Sequence, residues 1–269
     1  MIELLEYKFF QNALFASVFG GCACSLIGVY IFLKDIPFLG IALSHAAFAG
    51  ALGAVVLGID PFAGAIIFCV LFSFILGPFS YSLKGKTNIA MGIIFSVFIG
   101  LAFLWLAMIP GPKTEGLNLI WGSILTISRK EVIFMIFVFF VIVLCLIRYF
   151  PMIRTILYNS EIASVSGIKE RTMYYAIIFI CSMTVSINLT TIGGILIFSL
   201  LINPAAAANQ LSNKLPLIFL LAAVFGVTSC LIGLLFSFWL NLPCGALIVL
   251  TSSMLYFFAY LISPRRRNG

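Results

Sequence analysis

Apolar runs of about 20 residues follow one another along almost the whole chain, and that is the length a helix needs to cross the hydrocarbon core of a bilayer. A soluble domain has no way to bury so many runs of this kind, because a small globule still exposes much of its surface. Composition agrees. Of 269 residues, 63% are hydrophobic and 9% charged, against roughly 45–50% and about 25% in soluble domains. Lipid removes the burial problem by acting as an apolar solvent. A β-barrel would instead show short alternating segments with a polar lumen face, and the runs here are continuous. The fold class that follows is all-α, a polytopic membrane protein, with residues 1–269 forming a single transmembrane domain.

About nine spans fit the pattern: 10–33, 36–57, 60–83, 88–109, 131–150, 172–190, 191–210, 215–238 and 243–262. Breakers stand between them at Lys34-Asp35-Ile36-Pro37, Gly58-Ile59-Asp60-Pro61, Pro110-Gly111-Pro112 and Asn241-Leu242-Pro243, where Pro removes a donor and Gly relaxes the backbone. The sixth and seventh spans are parted only by Thr190, Thr191, Gly193 and Gly194 and their neighbours, which leaves room for one of the two to be short or re-entrant. Nine spans put the termini on opposite faces. With the C-terminus cytoplasmic, Lys34, Lys84, Lys86, Arg148, Arg154, Lys169, Arg171, Lys214, Arg265, Arg266 and Arg267 lie inside, and Lys8, Lys113, Arg129 and Lys130 outside. The excess inside is the bias that short loops obey, so the N-terminus is expected outside and the C-terminus inside.

The same placement explains the net charge of +7 without nucleic acid, since the basic residues sit in loops and not on one aromatic-laced face. The seven cysteines lie in or at the ends of apolar runs and read as small core hydrophobes. Cys22 and Cys24, two apart on one helix, point to different faces. No basic segment precedes the first run, which argues against a cleaved signal peptide. Residues 1–8 fit a short interfacial segment. No phosphate-binding loop, nucleophile elbow or zinc-protease motif is present, so the chain is read as a transport component and not an enzyme.

One residue carries most of the chemical interest. His45 is the only histidine and falls inside the second run, among Gly40, Ala42, Ala46, Ala47, Ala49 and Gly50. An ionisable group at membrane depth costs free energy and marks a functional site by default, and imidazole suits transition metals. A neutral histidine bonding a neighbouring helix fits these residues equally well. Ser44, Asn188 and Asn203 are further polar groups at depth, for which helix-to-helix hydrogen bonding is the leading role. Asn203-Pro204 reads as a helix break, a feature that lines transport sites. Two loops exceed simple turns. Residues 110–130 include the short apolar stretch Leu117–Leu125 with Trp121, which reads as interfacial or re-entrant. Residues 151–171 read as a short helix, capped by Asn159 or Ser160, begun by Glu161 and ended by Gly167. Such a helix docks on a partner or lies on the membrane surface.

Gly40–Gly50 resembles the second-span motif Gly-Asp-Ala-Leu-Ser-His-Ala-x-x-x-Gly of the ABC permeases for zinc, manganese and iron. Four more stretches resemble that family in the same order. They are Leu119-Ile120-Trp121-Gly122-Ser123-Ile124-Leu125, Glu161-Ile162-Ala163-Ser164-Val165-Ser166-Gly167, the run from Gly193 through Asn203-Pro204-Ala205-Ala206-Ala207-Ala208, and Leu242–Leu250. The resemblance implies a permease of a prokaryotic inner membrane, working as a homodimer. It implies a cytoplasmic ATPase subunit as partner, met through Glu161, Ala163 and Gly167, and an extracytoplasmic metal-binding protein that delivers the ion. It implies a transported divalent ion (Mn, Zn or Fe), no permanently bound cofactor, and His45 as the metal ligand with Ser44 as a further candidate. The family's usual Asp, four residues before the histidine, is Ile41 here. That departure keeps open an importer of the same architecture for a metal chelate or another small solute. A gradient-driven secondary transporter fits less well, because such proteins keep carboxylates at depth as relays. All eight acidic residues here lie at span ends or in loops.

Overall fold

In lipid every backbone N–H and C=O must find a partner within its own segment, and the helix is the open-chain solution. A computed structural model describes residues 7–82, 87–109, 127–158, 163, 165–167 and 169–263. Among these residues nine helices form: α1 Lys8–Leu33, α2 Phe38–Leu57, α3 Pro61–Ser82, α4 Thr87–Met108, α5 Arg129–Tyr158, α6 Glu170–Ile192, α7 Gly194–Leu211, α8 Leu215–Leu240 and α9 Cys244–Leu261. Each corresponds to one of the expected segments. Among the described residues seven helices, α1, α2, α4, α5, α6, α8 and α9, qualify as membrane spans by length and apolarity.

The helix starts follow local chemistry. Pro61 opens α3 where its missing N–H costs nothing, and Asp60 accepts from the Phe62 amide at 3.3 Å. At α5 a reciprocal cap forms. The Ser128 amide donates to Glu131 Oε2 at 2.7 Å, and the Glu131 amide donates to Ser128 Oγ at 3.3 Å, which satisfies two donors that a helix start leaves open.

Burial sorts the helices into centre and rim. In the most apolar stretch of α1 and of α2, 72% of residues are buried, against 22% in α5 and 28% in α4 and α9. The inner helices are rich in Gly, Ala and Ser, which let backbones approach closely where no hydrophobic force drives packing. At Gly28 of α1 an added Cβ would fall on the Leu201 carbonyl of α7, so only glycine permits that crossing. The outer helices turn Phe103, Phe137, Leu144, Ile147, Phe257 and Phe258 outward. Such a surface would aggregate in water and is solvated by lipid.

Two expectations are revised. The fifth span does not end at Tyr149-Phe150. Its helix runs through Pro151 to Tyr158, and Ile153 and Ile156 are buried there, packing that offsets the backbone bond proline removes. The described part of the 151–171 loop is thus first a continuation of α5. Second, Asn203-Pro204 is not a break. α7 is helical from Gly194 to Leu211 with Pro204 inside it, and four alanines that follow, the best helix formers, carry it onward. The closely spaced α6 and α7 are separate helices of 23 and 18 residues, joined by Gly193 alone at φ 96°, a backbone region nearly reserved for glycine. The stretch 110–126, which holds Trp121, lies outside the described residues, as do residues 1–6 and the basic C-terminal residues.

Candidate functional site

α2 is buried on all sides but one. Phe38, Ile41, His45 and Phe48 are half-buried, while Leu39, Gly40, Ala42, Leu43, Ser44, Ala46, Ala47, Ala49 and Gly50 between and beside them are buried. The four half-buried positions recur at helical spacing and form one stripe. Ile41 therefore occupies the same face as His45, one turn away.

His45 is held from two directions. Its Nδ1 lies 3.0 Å from the Ile41 carbonyl. A carbonyl only accepts, so Nδ1 carries the proton, and in the neutral ring Nε2 is left with the lone pair. Phe95 of α4 meets the imidazole edge-on, with ring centroids 4.8 Å apart and planes at 73°. Phe38 braces Phe95 in turn, at 5.4 Å. The ring is thus fixed in tautomer and tilt, and among the described residues none bonds Nε2, the state in which an imidazole binds a metal.

Ser44 does not join it. It is buried, and its hydroxyl donates to the Gly40 carbonyl at 2.8 Å. Neighbouring residues on a helix do not share a face. Among the described residues no group of three or more His, Cys, Asp or Glu comes together. Cys24 is fully buried and Cys22 half-buried, in keeping with different faces of α1.

Asn203 is a clamp between helices. Its amide donates to Ser252 Oγ at 3.1 Å and to Ser253 Oγ at 3.0 Å, tying α7 to α9. Between α5 and α6, Ala163 is fully buried and Gly167 is exposed at φ 74° with open space about its Cα. Ala163 is thus seated in the protein and Gly167 forms a bare turn beside it. Glu161 lies outside the described residues.

A family model described as the ABC 3 transport family matches residues 6–263. The chain belongs to this family. Similar members include the manganese transport system membrane protein MntC of Halalkalibacterium halodurans, 31% identical over 265 residues that cover 98% of this chain and 90% of that one. The manganese import system permease protein ScaB of Streptococcus pneumoniae is 26% identical over 276 residues, covering 99% and 95%. Among solved structures, PsaBC from Streptococcus pneumoniae in complex with Fab superposes with a TM-score of 0.87 at 27% identity, covering 99% of this chain and 98% of that one. The ABC 3 assignment and the apolar helices make this a multi-pass protein of a prokaryotic plasma membrane.

Two features of this family member escaped the sequence. Phe95 is one of 28 phenylalanines, and nothing in its run distinguishes it from those that face lipid. The cap at α5 was legible in principle, because Ser128 and Glu131 stand at capping-box spacing before an apolar run.

Proposed function

We propose that the chain is the membrane-spanning permease of a binding-protein-dependent ABC importer for manganese. The observation that carries this is sequence likeness over nearly the full length to proteins named for manganese transport and manganese import, with a fold shared with PsaBC beside it. A separate cytoplasmic ATPase subunit supplies the work, an extracytoplasmic protein delivers the ion, and two copies of the chain enclose the pathway, with the N-terminus outside and the C-terminus inside. Force enters through the inner loop, where Ala163 anchors and Gly167 presents a turn without a side chain.

The chemistry asked of this chain is modest. Manganese is the weakest binder of the divalent first-row series, and conduction needs a contact strong enough to enter and weak enough to leave. One imidazole nitrogen, supplemented by water and backbone oxygens, meets both needs. Ile41 in place of a carboxylate favours a second reading, in which the cargo arrives with ligands of its own as a chelate.

The test is uptake. Deleting the chain from its host is expected to abolish accumulation of radiolabelled manganese, and restoring it to recover uptake. Gly167→Arg is expected to insert normally, to lose uptake and to lose copurification with the ATPase subunit. Recovery only when manganese is supplied as a chelate would replace free ion by chelate. Full ATPase retention by Gly167→Arg would remove the inner loop from the coupling path.

A further inference from the structure

A cavity of about 510 Å³ lies between α1, α5 and α6. Its depth is aliphatic, with Leu26, Ile142 and Ile177 all buried. Its rim is exposed and polar, with Lys169 and Thr172. Lys169 immediately precedes α6, and Tyr30, which also lines the cavity, lies in the last turn of α1. The cavity therefore sits where the spans leave the hydrocarbon. Arg148 over the ring of Tyr149 and Arg171 over that of Tyr175, at 5.6 and 5.7 Å, stand at the same end of α5 and α6. Aromatic and basic residues of this kind gather at headgroup level.

Water does not fill such a space, because it needs two or more polar partners and the depth offers none. An acyl chain does. At about 510 Å³ the cavity has room for an acyl chain. Filling it restores dispersion contacts that the lining side chains would otherwise lack. A tail gains nothing from leaving bulk lipid, which is equally apolar, so selection falls to the rim. There the Lys169 ammonium is a point charge suited to a phosphate.

We propose that this cavity binds one anionic phospholipid, with an acyl chain between α1, α5 and α6 and its phosphate against Lys169. A single basic residue at the membrane surface gives about a fivefold preference for an anionic over a zwitterionic lipid. The inference rests on the membrane setting and not on what is transported.

Cys145 lines the cavity and is half-buried, which makes its thiol a reporter. The full chain in detergent micelles would be treated with N-ethylmaleimide and the labelling of Cys145 followed by peptide mass spectrometry. Phosphatidylglycerol is expected to slow labelling at about one-fifth the mole fraction needed of phosphatidylcholine with the same tails. Glycerol phosphate, the headgroup without tails, is expected to give no protection. Lys169→Gln should equalise the two lipids, and Ala176→Trp, which fills the groove, should slow labelling without lipid and remove the dependence on it. Equal protection by both lipids in the unaltered chain overturns the proposal. So does protection by glycerol phosphate, which would mark a site for free phosphate. Protection that depends on cross-linked pairs of chains and not on lipid also overturns it, since a second copy would then cover the cavity.

Discussion

Replacing His45 separates a ligand from a packing residue. His45→Ala deletes a hydrogen bond to the Ile41 carbonyl and an edge-on contact with Phe95. The bond is worth about 0.6 kcal/mol among membrane-embedded groups and the ring contact about 0.5–1.5 kcal/mol. Their loss comes to about 1–2 kcal/mol, a modest drop in thermal stability in detergent. His45→Asn is the sharper probe. Asn188 in α6 shows that an asparagine amide in this fold reaches the carbonyl four residues back, at 2.7 Å from Thr184 O. Asn at position 45 thus keeps the backbone bond and loses only the ring contact, so its stability should lie between wild type and His45→Ala. It has no counterpart of Nε2. If that nitrogen meets the ion, both variants lose manganese uptake by at least about tenfold, irrespective of their stabilities. The assay is radiolabelled uptake normalised to the amount of chain in the membrane, paired with thermal unfolding. Wild-type uptake by His45→Asn, or uptake that tracks stability across the three proteins, would make His45 a packing residue and refute the argument.

Two further outcomes test the packing. Gly28→Val should lower the yield of monodisperse protein, since overpacking costs about 1–3 kcal/mol or more and the Leu201 backbone blocks the way. Gly92→Ala, in open space on α4, should be neutral or gain up to about 1 kcal/mol. Equal behaviour of the two would contradict the close approach of α1 and α7. In a double-mutant cycle, Asn203→Leu and the joint change Ser252→Ala, Ser253→Ala should couple by about 1 kcal/mol, the sum of two bonds at about 0.6 kcal/mol each. Additive losses would mean the amide does not bridge α7 to α9.

The helices were legible because lipid imposes one rule on every span, a continuous apolar run of fixed length. Their ends were less so. Pro151 and Pro204 carry the local signature of a stop, and burial of Ile153 and Ile156 or a following run of alanine overrides it. No local rule reports what a distant helix will offer in exchange. His45 stood out because one ionisable residue in an apolar run is conspicuous. Its orientation did not, since the carbonyl that fixes it belongs to every residue and Phe95 comes from another helix. Asn203 was identified as polar at depth, but its partners Ser252 and Ser253 lie about 50 positions along the chain, and only packing brings them together.

Gly193 alone separates two rods of 23 and 18 residues. Consecutive Cα atoms stand about 3.8 Å apart across a trans peptide, so the joint has no slack in which a displacement could dissipate. A tilt of one rod against the other can be taken up only in the two torsions of Gly193, the residue with the widest backbone freedom. The second rod is the one clamped through Asn203 to α9. Any change in the angle between α6 and α7 is therefore confined to a joint one residue long.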